Sequence, residues 1–127
     1  MPWTQFAAVG IGAACGAWLR WGLSLALNPL IPTLPLGTLT ANLVGGFIIG
    51  VVMALAEPLH LSITLRLLLV TGFLGGLTTF STFSAESVDP ILKGQYGTAA
   101  IVIVAHLAGS LVLTAAGALL TRAALGR

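Results

Sequence analysis

Charged side chains are the scarcest feature of this sequence. Asp, Glu, Lys and Arg make up 6% of the 127 residues, whereas 57% of the residues are hydrophobic. A soluble domain contains about 25% charged residues, so a chain of this composition has almost no surface to offer to water. The sequence therefore predicts an integral membrane protein formed by a single domain, residues 1–127, with no room for a second.

Several other absences narrow the possible functions. Cys15 is the only cysteine, which excludes an intrachain disulfide, and a net charge of +2 is too small to indicate a nucleic-acid partner. The first apolar stretch lacks a basic start and contains Arg20, so it is not predicted to be a signal peptide. The histidines, His60 and His106, form no cluster with Cys or carboxylates at metal-ligand spacing. No Ser or Thr has a base in a catalytic motif, and an enzyme is not expected.

Long apolar stretches are what the chain has instead. A membrane-spanning helix needs about 20 mostly apolar residues, and four stretches qualify: Phe6–Leu27, Gly37–Ala56, Leu65–Ser84 and Gly97–Leu120. The dipeptides Asn28-Pro29, Glu57-Pro58 and Asp89-Pro90 separate them, and Lys93 and Gly94 follow the last of these in the same connection. The predicted fold is an all-α membrane protein with four transmembrane helices.

The few charges define the membrane orientation poorly. Four spans put both termini on one side, which would carry Arg66, Arg122 and Arg127, while the other side would carry Arg20 and Lys93. A chain with so weak a bias could insert both ways and form an inverted pair. On charge alone, the alternative that one arginine decides a single orientation is equally open.

Glycine pairs predict close helix packing. The sequence contains three GxxxG pairs, namely Gly12 with Gly16, Gly46 with Gly50, and Gly72 with Gly76. Such pairs let two helix backbones approach closely. Some must pack within the bundle, and the pattern leaves open which pair faces a partner chain.

The stretch GFLGGLTTFSTF, Gly72–Phe83, is the least compatible with lipid. Its glycines weaken a helix, which predicts a break in the third helix near Gly75–Thr79. A break at membrane depth frees carbonyls, which commonly coordinate a cation there. The alternative is that the glycines only allow a close helix crossing.

The second half of the same stretch contains groups that could stabilise a small anion if they faced a pore. Phe80 and Phe83 share a helix face, and aromatic ring edges are positive, although ordinary packing would give the same spacing. Polar groups nearby in sequence are Thr79, Ser81, Thr82, Ser84 and Glu86. Hydroxyl donors of this kind can replace water around an anion.

Polar residues also occur in the other segments. Asn42 offers an amide donor in the middle of the second segment. His106, Ser110 and Thr114 form a stripe on one face of the fourth helix, which indicates either an ion pathway or a polar seam between helices. Arg20 could extend to the membrane interface, and it could equally make an entry vestibule electropositive; the two roles are compatible.

Three motifs together resemble the Fluc/CrcB family of small bacterial fluoride channels. They are GAWLRW (Gly16–Trp21), GTLTANLVGGFIIG (Gly37–Gly50) and GFLGGLTTFSTFSAE (Gly72–Glu86), and the resemblance covers the whole chain. Trp21 stands where many members have tyrosine, and Ala41 where valine is common. Many members also have a tyrosine within the fourth helix, whereas the only tyrosine here is Tyr96.

The resemblance implies an antiparallel, dual-topology homodimer with two pores in the bacterial inner membrane, which exports fluoride passively. Phe80 and Phe83 would be the pore phenylalanines, and Asn42 the pore amide. The backbone carbonyls of Gly75 and Thr78 would bind a structural sodium ion on the dimer axis. The remaining implied positions are the track residues Ser81, Thr82, Ser84, Glu86, His106, Ser110 and Thr114, and Arg20 near the pore mouth.

Two other classes compete with this interpretation. A small dual-topology multidrug/proton antiporter has a similar size, but its coupling needs a carboxylate deep in the membrane. The first helix has none, and Glu57 and Glu86 lie near segment ends. A non-transporting assembly subunit would leave Asn42 and the polar stripe without a purpose.

Overall fold

The chain forms four long apolar helical spans. In the computed structural model, which describes residues 2–127, the spans are Trp3–Leu30, Leu36–Leu55, Ile63–Leu92 and Tyr96–Ala124. Each is long and apolar enough to cross a bilayer, and no strand occurs in the described residues. The predicted all-α fold with four membrane helices is confirmed.

The third span is assembled from several pieces. We label the helices in chain order α1 (Trp3–Leu27), α2 (Leu36–Leu55), α3 (Ile63–Arg66), α4 (Gly75–Leu77), α5 (Phe80–Leu92) and α6 (Tyr96–Ala124). A π-helical segment, Leu67–Leu74, joins α3 to α4, and a short 3₁₀ turn, Asn28–Leu30, follows α1. The first, second and fourth spans are continuous α-helices over most of their length.

The predicted end of the third span is wrong. The sequence placed it at Ser84 with a turn at Asp89-Pro90, but α5 contains Pro90 and continues to Leu92. The fixed φ of proline suits a helix, and so close to the helix end its missing N–H removes only one bond. The chain turns at Gly94, which the sequence also assigns to this connection, and its positive φ of 71° favours glycine.

All three GxxxG pairs pack within the chain. α1 lies along the first half of the third span, and α2 lies along α6. A Cβ on Gly72 would lie 3.0 Å from the Cα of Gly12, and a Cβ on Gly50 would collide with the carbonyl oxygen of Thr114. The close approach of these backbones leaves no space for a side chain, so none of the pairs is free for a partner.

The interior is small and the exterior is apolar. Ala41, Leu74 and Leu77 form the buried core cluster. Large apolar side chains cover the outside, among them Trp3, Phe6, Trp18, Trp21, Leu111 and Leu120. An exterior of this kind suits a lipid bilayer, with tryptophan enriched at its interfaces.

Candidate functional site

The third span is interrupted between Leu77 and Phe80. Thr78 has φ −86° and ψ 154°, and Thr79 has φ −149° and ψ 119°, so both residues are extended. Gly75 remains helical, with φ −62° and ψ −36°. The predicted break near Gly75–Thr79 is confirmed, but the chain leaves the helix at two threonines and not at a glycine.

Asn42 of α2 holds the break open. Its side-chain Oδ1 accepts the backbone N–H of Thr79 at 2.8 Å, and its Nδ2 donates to the backbone oxygen of Thr79 at 3.1 Å. The amide thus pairs with both backbone groups of one extended residue. Buried backbone groups require partners, and here a side chain of another helix supplies what a continuous helix would have supplied.

The carbonyls just before the break lose their usual helical donors, and for two of them the structure shows where the donor goes. In a continuous α-helix the N–H of Thr79 would reach the carbonyl of Gly75, but it goes to Asn42. Likewise, the N–H of Thr82, four residues after Thr78, goes to the side-chain oxygen of Thr79 at 3.1 Å. The carbonyls of Gly75 and Thr78 therefore each lose the N–H of the residue four positions later, because that N–H donates to a side chain instead.

Arg20 reaches the same region from α1. Its Nε donates to the carbonyl oxygen of Gly76 at 3.1 Å, and its side chain is half-buried. The guanidinium thus satisfies a carbonyl in the last turn before the break and brings a positive charge beside it. The two roles predicted for Arg20, at the membrane interface and in an entry vestibule, stay predictions.

The two phenylalanines lie at the start of α5. Their ring centroids are 5.4 Å apart with an angle of 66° between the planes, an edge contact. Phe83 is buried, with 7% of its surface exposed, whereas Phe80 is 73% exposed. Phe83 also stacks on His106 of α6, with centroids 4.8 Å apart, so α5 and α6 meet through these rings.

The hydrogen bonds define the proton position on His106. A backbone N–H can only donate, so the atom of Asn42 facing Thr79 N–H is the oxygen, and the amide nitrogen faces His106 Nδ1 at 3.0 Å. Since the amide nitrogen also only donates, Nδ1 accepts and the neutral ring carries its proton on Nε2. Nε2 is buried and has no partner among residues 2–127.

These residues line one open groove of about 400 Å³. The predicted site residues along it are Asn42, Gly75, Thr78, Phe80, Phe83, His106 and Ser110. Thr114 is directed to α2, where its hydroxyl donates to the carbonyl of Gly46 at 2.9 Å. The polar stripe of α6 is thus divided. His106 and Ser110 line the groove, whereas Thr114 lies in a seam between α6 and α2.

The other predicted track residues lie on α5. Ser81 is exposed, and Thr82 and Ser84 are half-buried. Glu86 Oε1 accepts the hydroxyl of Thr38 at 2.8 Å, while its buried Oε2 has no partner in the described part of the chain. Thr38, 1% exposed, was missed from the sequence, although it precedes Asn42 by four residues and so shares its helix face.

Comparison with known proteins identifies the family. The family model described as CrcB-like protein, Camphor Resistance (CrcB), matches residues 7–118. The chain belongs to the CrcB family. The chain resembles a protein from Nitrosospira multiformis, 58% identical over 114 residues that cover 87% of each chain. It also resembles one from Chromobacterium violaceum, 59% identical over 116 residues that cover 91% of this chain and 92% of the relative.

Both relatives are called fluoride-specific ion channel FluC. A third relative of the same name, from Thiobacillus denitrificans, is 56% identical over 115 residues, which cover 90% of this chain and 93% of that protein. The family resemblance predicted from the motifs is confirmed. With four spans and these bacterial relatives, the chain is a multi-pass bacterial membrane protein.

Proposed function

We propose that this CrcB-family chain is a fluoride-selective channel that lets fluoride leave the cell passively, carrying charge across the membrane. The observation that carries the proposal is the buried, unpartnered Nε2–H of His106, a residue that contacts the ring of Phe83 and lines a largely apolar groove with it. A buried donor without a partner costs about 1–3 kcal/mol, so a passing anion is a natural acceptor for it. The names of the relatives point to fluoride as that anion.

The chemistry of the groove suits weak, transient binding. Conduction requires an ion to enter and also to leave, so a pore must not hold its ion too tightly. The polar residues that line the groove carry no fixed charge, and Phe80 and Phe83 add positive ring edges. These polar residues are Asn42, Thr78, Thr79, His106 and Ser110. Asn42 would bind the ion directly only by exchanging one of its present contacts.

An antiparallel dimer would cover the open side of the groove. The groove is open along one side, and Phe80, 73% exposed, stands at its edge. A second copy inserted in the opposite orientation would close it, and the twofold operation would create two equivalent pores lined by both copies. The weak charge bias of the loops agrees with dual insertion.

A structural sodium ion on the dimer axis fits the freed carbonyls. The N–H groups that would bond the carbonyls of Gly75 and Thr78 in a continuous helix donate to side chains instead. Both residues line the open groove. Freed backbone carbonyls at a helix break are typical sodium ligands in membrane proteins. Two copies would present four such oxygens, and the ion would add positive field near both pores.

The remaining residues would form the approach to the pores. Arg20, at the break, would make the mouth electropositive and raise the local anion concentration. The track would continue along α5 and α6 through Ser81, Thr82, Ser84, Glu86 and Ser110, whereas Thr114 is turned towards α2 and would lie beside it. Glu86 is the exceptional member, because a charged carboxylate repels an anion and Thr38 satisfies only one of its oxygens.

Flux from liposomes tests the proposal. Purified protein is reconstituted with internal fluoride, a potassium ionophore balances the charge, and a fluoride electrode records efflux. We expect efflux that stops without the ionophore, together with negligible chloride flux. No efflux above that of protein-free vesicles would refute the channel, and a strict requirement for a proton gradient would favour the antiporter alternative.

A further inference from the structure

His106 is connected to the helix break through a second side chain. Its Nδ1 lies 3.0 Å from Asn42 Nδ2, and Asn42 in turn pairs with both backbone groups of Thr79. The three residues come from α6, α2 and the interruption in the third span. They form one continuous hydrogen-bonded relay across the bundle.

Every hydrogen-bonding group of the Asn42 amide is used in this relay. The oxygen accepts from Thr79 N–H, one amide hydrogen goes to the oxygen of Thr79, and the other goes to His106. The amide cannot rotate by 180°, because its nitrogen would then face the N–H of Thr79, donor against donor. Of the three partners, only Nδ1 of His106 belongs to a group that can change its proton position.

We propose that His106 is a positioning residue whose Nδ1, by accepting from Asn42, holds the amide in the orientation that keeps Thr79 out of the helix. The residue acts on the break through Asn42 and does not touch Thr79 itself. The role is separate from that of Nε2–H, which is buried and has no partner in the described residues. The effect on ion flux rests on the proposed function, whereas the effect on the break does not.

The ring of His106 is well placed to keep this geometry. It is 3% exposed, and the ring of Phe83 lies against it at a centroid distance of 4.8 Å. The two rings are tilted by 36° to each other, and this close contact together with the burial of His106 restrains rotation of the imidazole, so Nδ1 stays directed at Asn42. A neutral ring with its proton on Nε2 is the only form in which Asn42 finds an acceptor there.

The tautomer is the direct test and needs no fluoride. His60→Asn removes the other histidine, so that His106 is the only ring labelled when nitrogen-15 histidine is supplied. His60 lies in a loop with φ 48°, a conformation that asparagine tolerates. Nitrogen-15 NMR of this protein in lipid nanodiscs at pH 8 should show a ring protonated at Nε2. A neutral ring protonated at Nδ1 would overturn the proposal.

Variants of His106 provide the second test, through amide exchange at Thr79. In His106→Asn the side-chain oxygen is bonded to Cγ, as Nδ1 is, so the acceptor is kept. His106→Gln carries its amide one carbon further, and His106→Phe keeps only a ring. We expect the exchange of Thr79 N–H to be unchanged within about threefold in the Asn variant and to rise at least tenfold in the other two.

Flux measurements then separate this proposal from the proposed function. Efflux should decrease in the order wild type, His106→Asn, His106→Phe, because the Asn variant lacks only the Nε2–H and the Phe variant lacks both groups. Unchanged protection of Thr79 in the Phe and Gln variants would overturn the positioning role even if fluoride flows. Absence of flux in the wild type would refute the channel, while the tautomer and exchange results would still decide the role of His106.

Discussion

The side-chain oxygen of Asn42 accepts the backbone N–H of Thr79 at 2.8 Å, although the two residues are 37 positions apart. This contact occupies the donor that would otherwise continue the helix to Gly75. A polar side chain in the middle of α2 is therefore a structural cause of the break, in addition to any contact with an ion. The break in turn directs Phe80 and Phe83 along the groove.

Asn42→Ala should destabilise the fold. The change leaves the N–H and the carbonyl of Thr79 without their partners, and each unpaired group costs about 1–3 kcal/mol. Equilibrium unfolding in mixed micelles measures the loss. Val44→Ala, an exposed position two residues along α2, is the control and should change stability by less than about 1 kcal/mol. Equal stability of the two variants would contradict the importance of this contact.

Phe80→Ile and Phe83→Ile should each slow fluoride efflux about tenfold without dissociating the proposed dimer. Isoleucine keeps an apolar side chain but has no positive ring edge, and such a change usually costs less than about 1.5 kcal/mol. Liposome efflux and size-exclusion chromatography report the two properties. Phe6→Ile, at an exposed position of α1, is the control. If efflux is unchanged in both pore variants, the ring edges do not act on the ion.

Gly50→Ala should prevent normal packing of α2 on α6. The added methyl group would collide with the backbone oxygen of Thr114, which cannot move without shifting the helix. Gly22→Ala on α1 has nothing within 4 Å and should be neutral or slightly stabilising, because alanine favours a helix by about 1 kcal/mol over glycine. The yield of monodisperse protein in detergent distinguishes the two variants.

Gly75→Ala should leave the chain folded but weaken the proposed dimer. Within the described residues the nearest atom to an added Cβ is the oxygen of Val70 at 3.6 Å, an ordinary contact. The methyl group would instead meet the second copy beside the proposed sodium ion. We expect less cross-linked dimer than in the wild type, and a similar decrease when sodium is replaced by a large organic cation. A dimer that responds to neither change would argue against a sodium ion on the axis.

Dual topology should be visible from labelling at the termini. Cys15 is exposed, so it is first replaced by serine, and a single cysteine is then added after Arg127. A membrane-impermeant thiol reagent applied to intact vesicles should label about half of the protein, and the remainder after permeabilisation. Complete labelling from one side would show a single orientation.

Much of the architecture follows from local composition. Four apolar stretches of sufficient length can only form spanning helices, since backbone groups have no other partners in lipid. The break near Gly75 was also predicted, because glycine and hydroxyl residues interrupt an otherwise apolar segment. The end of the third span is predicted less accurately, because α5 continues through Pro90 to Leu92. One missing N–H near the end of a helix is a small cost that packing overrides.

The sequence by itself determined the class of the protein, the number of spans and the motifs of its family, because these depend on residue types and on their order. Only the tertiary structure decided that all three glycine pairs pack internally, that Thr114 faces α2, and that Asn42 joins His106 to Thr79. Those relationships depend on which helix faces which, and residues 37 or 64 positions apart leave no local signal of their pairing.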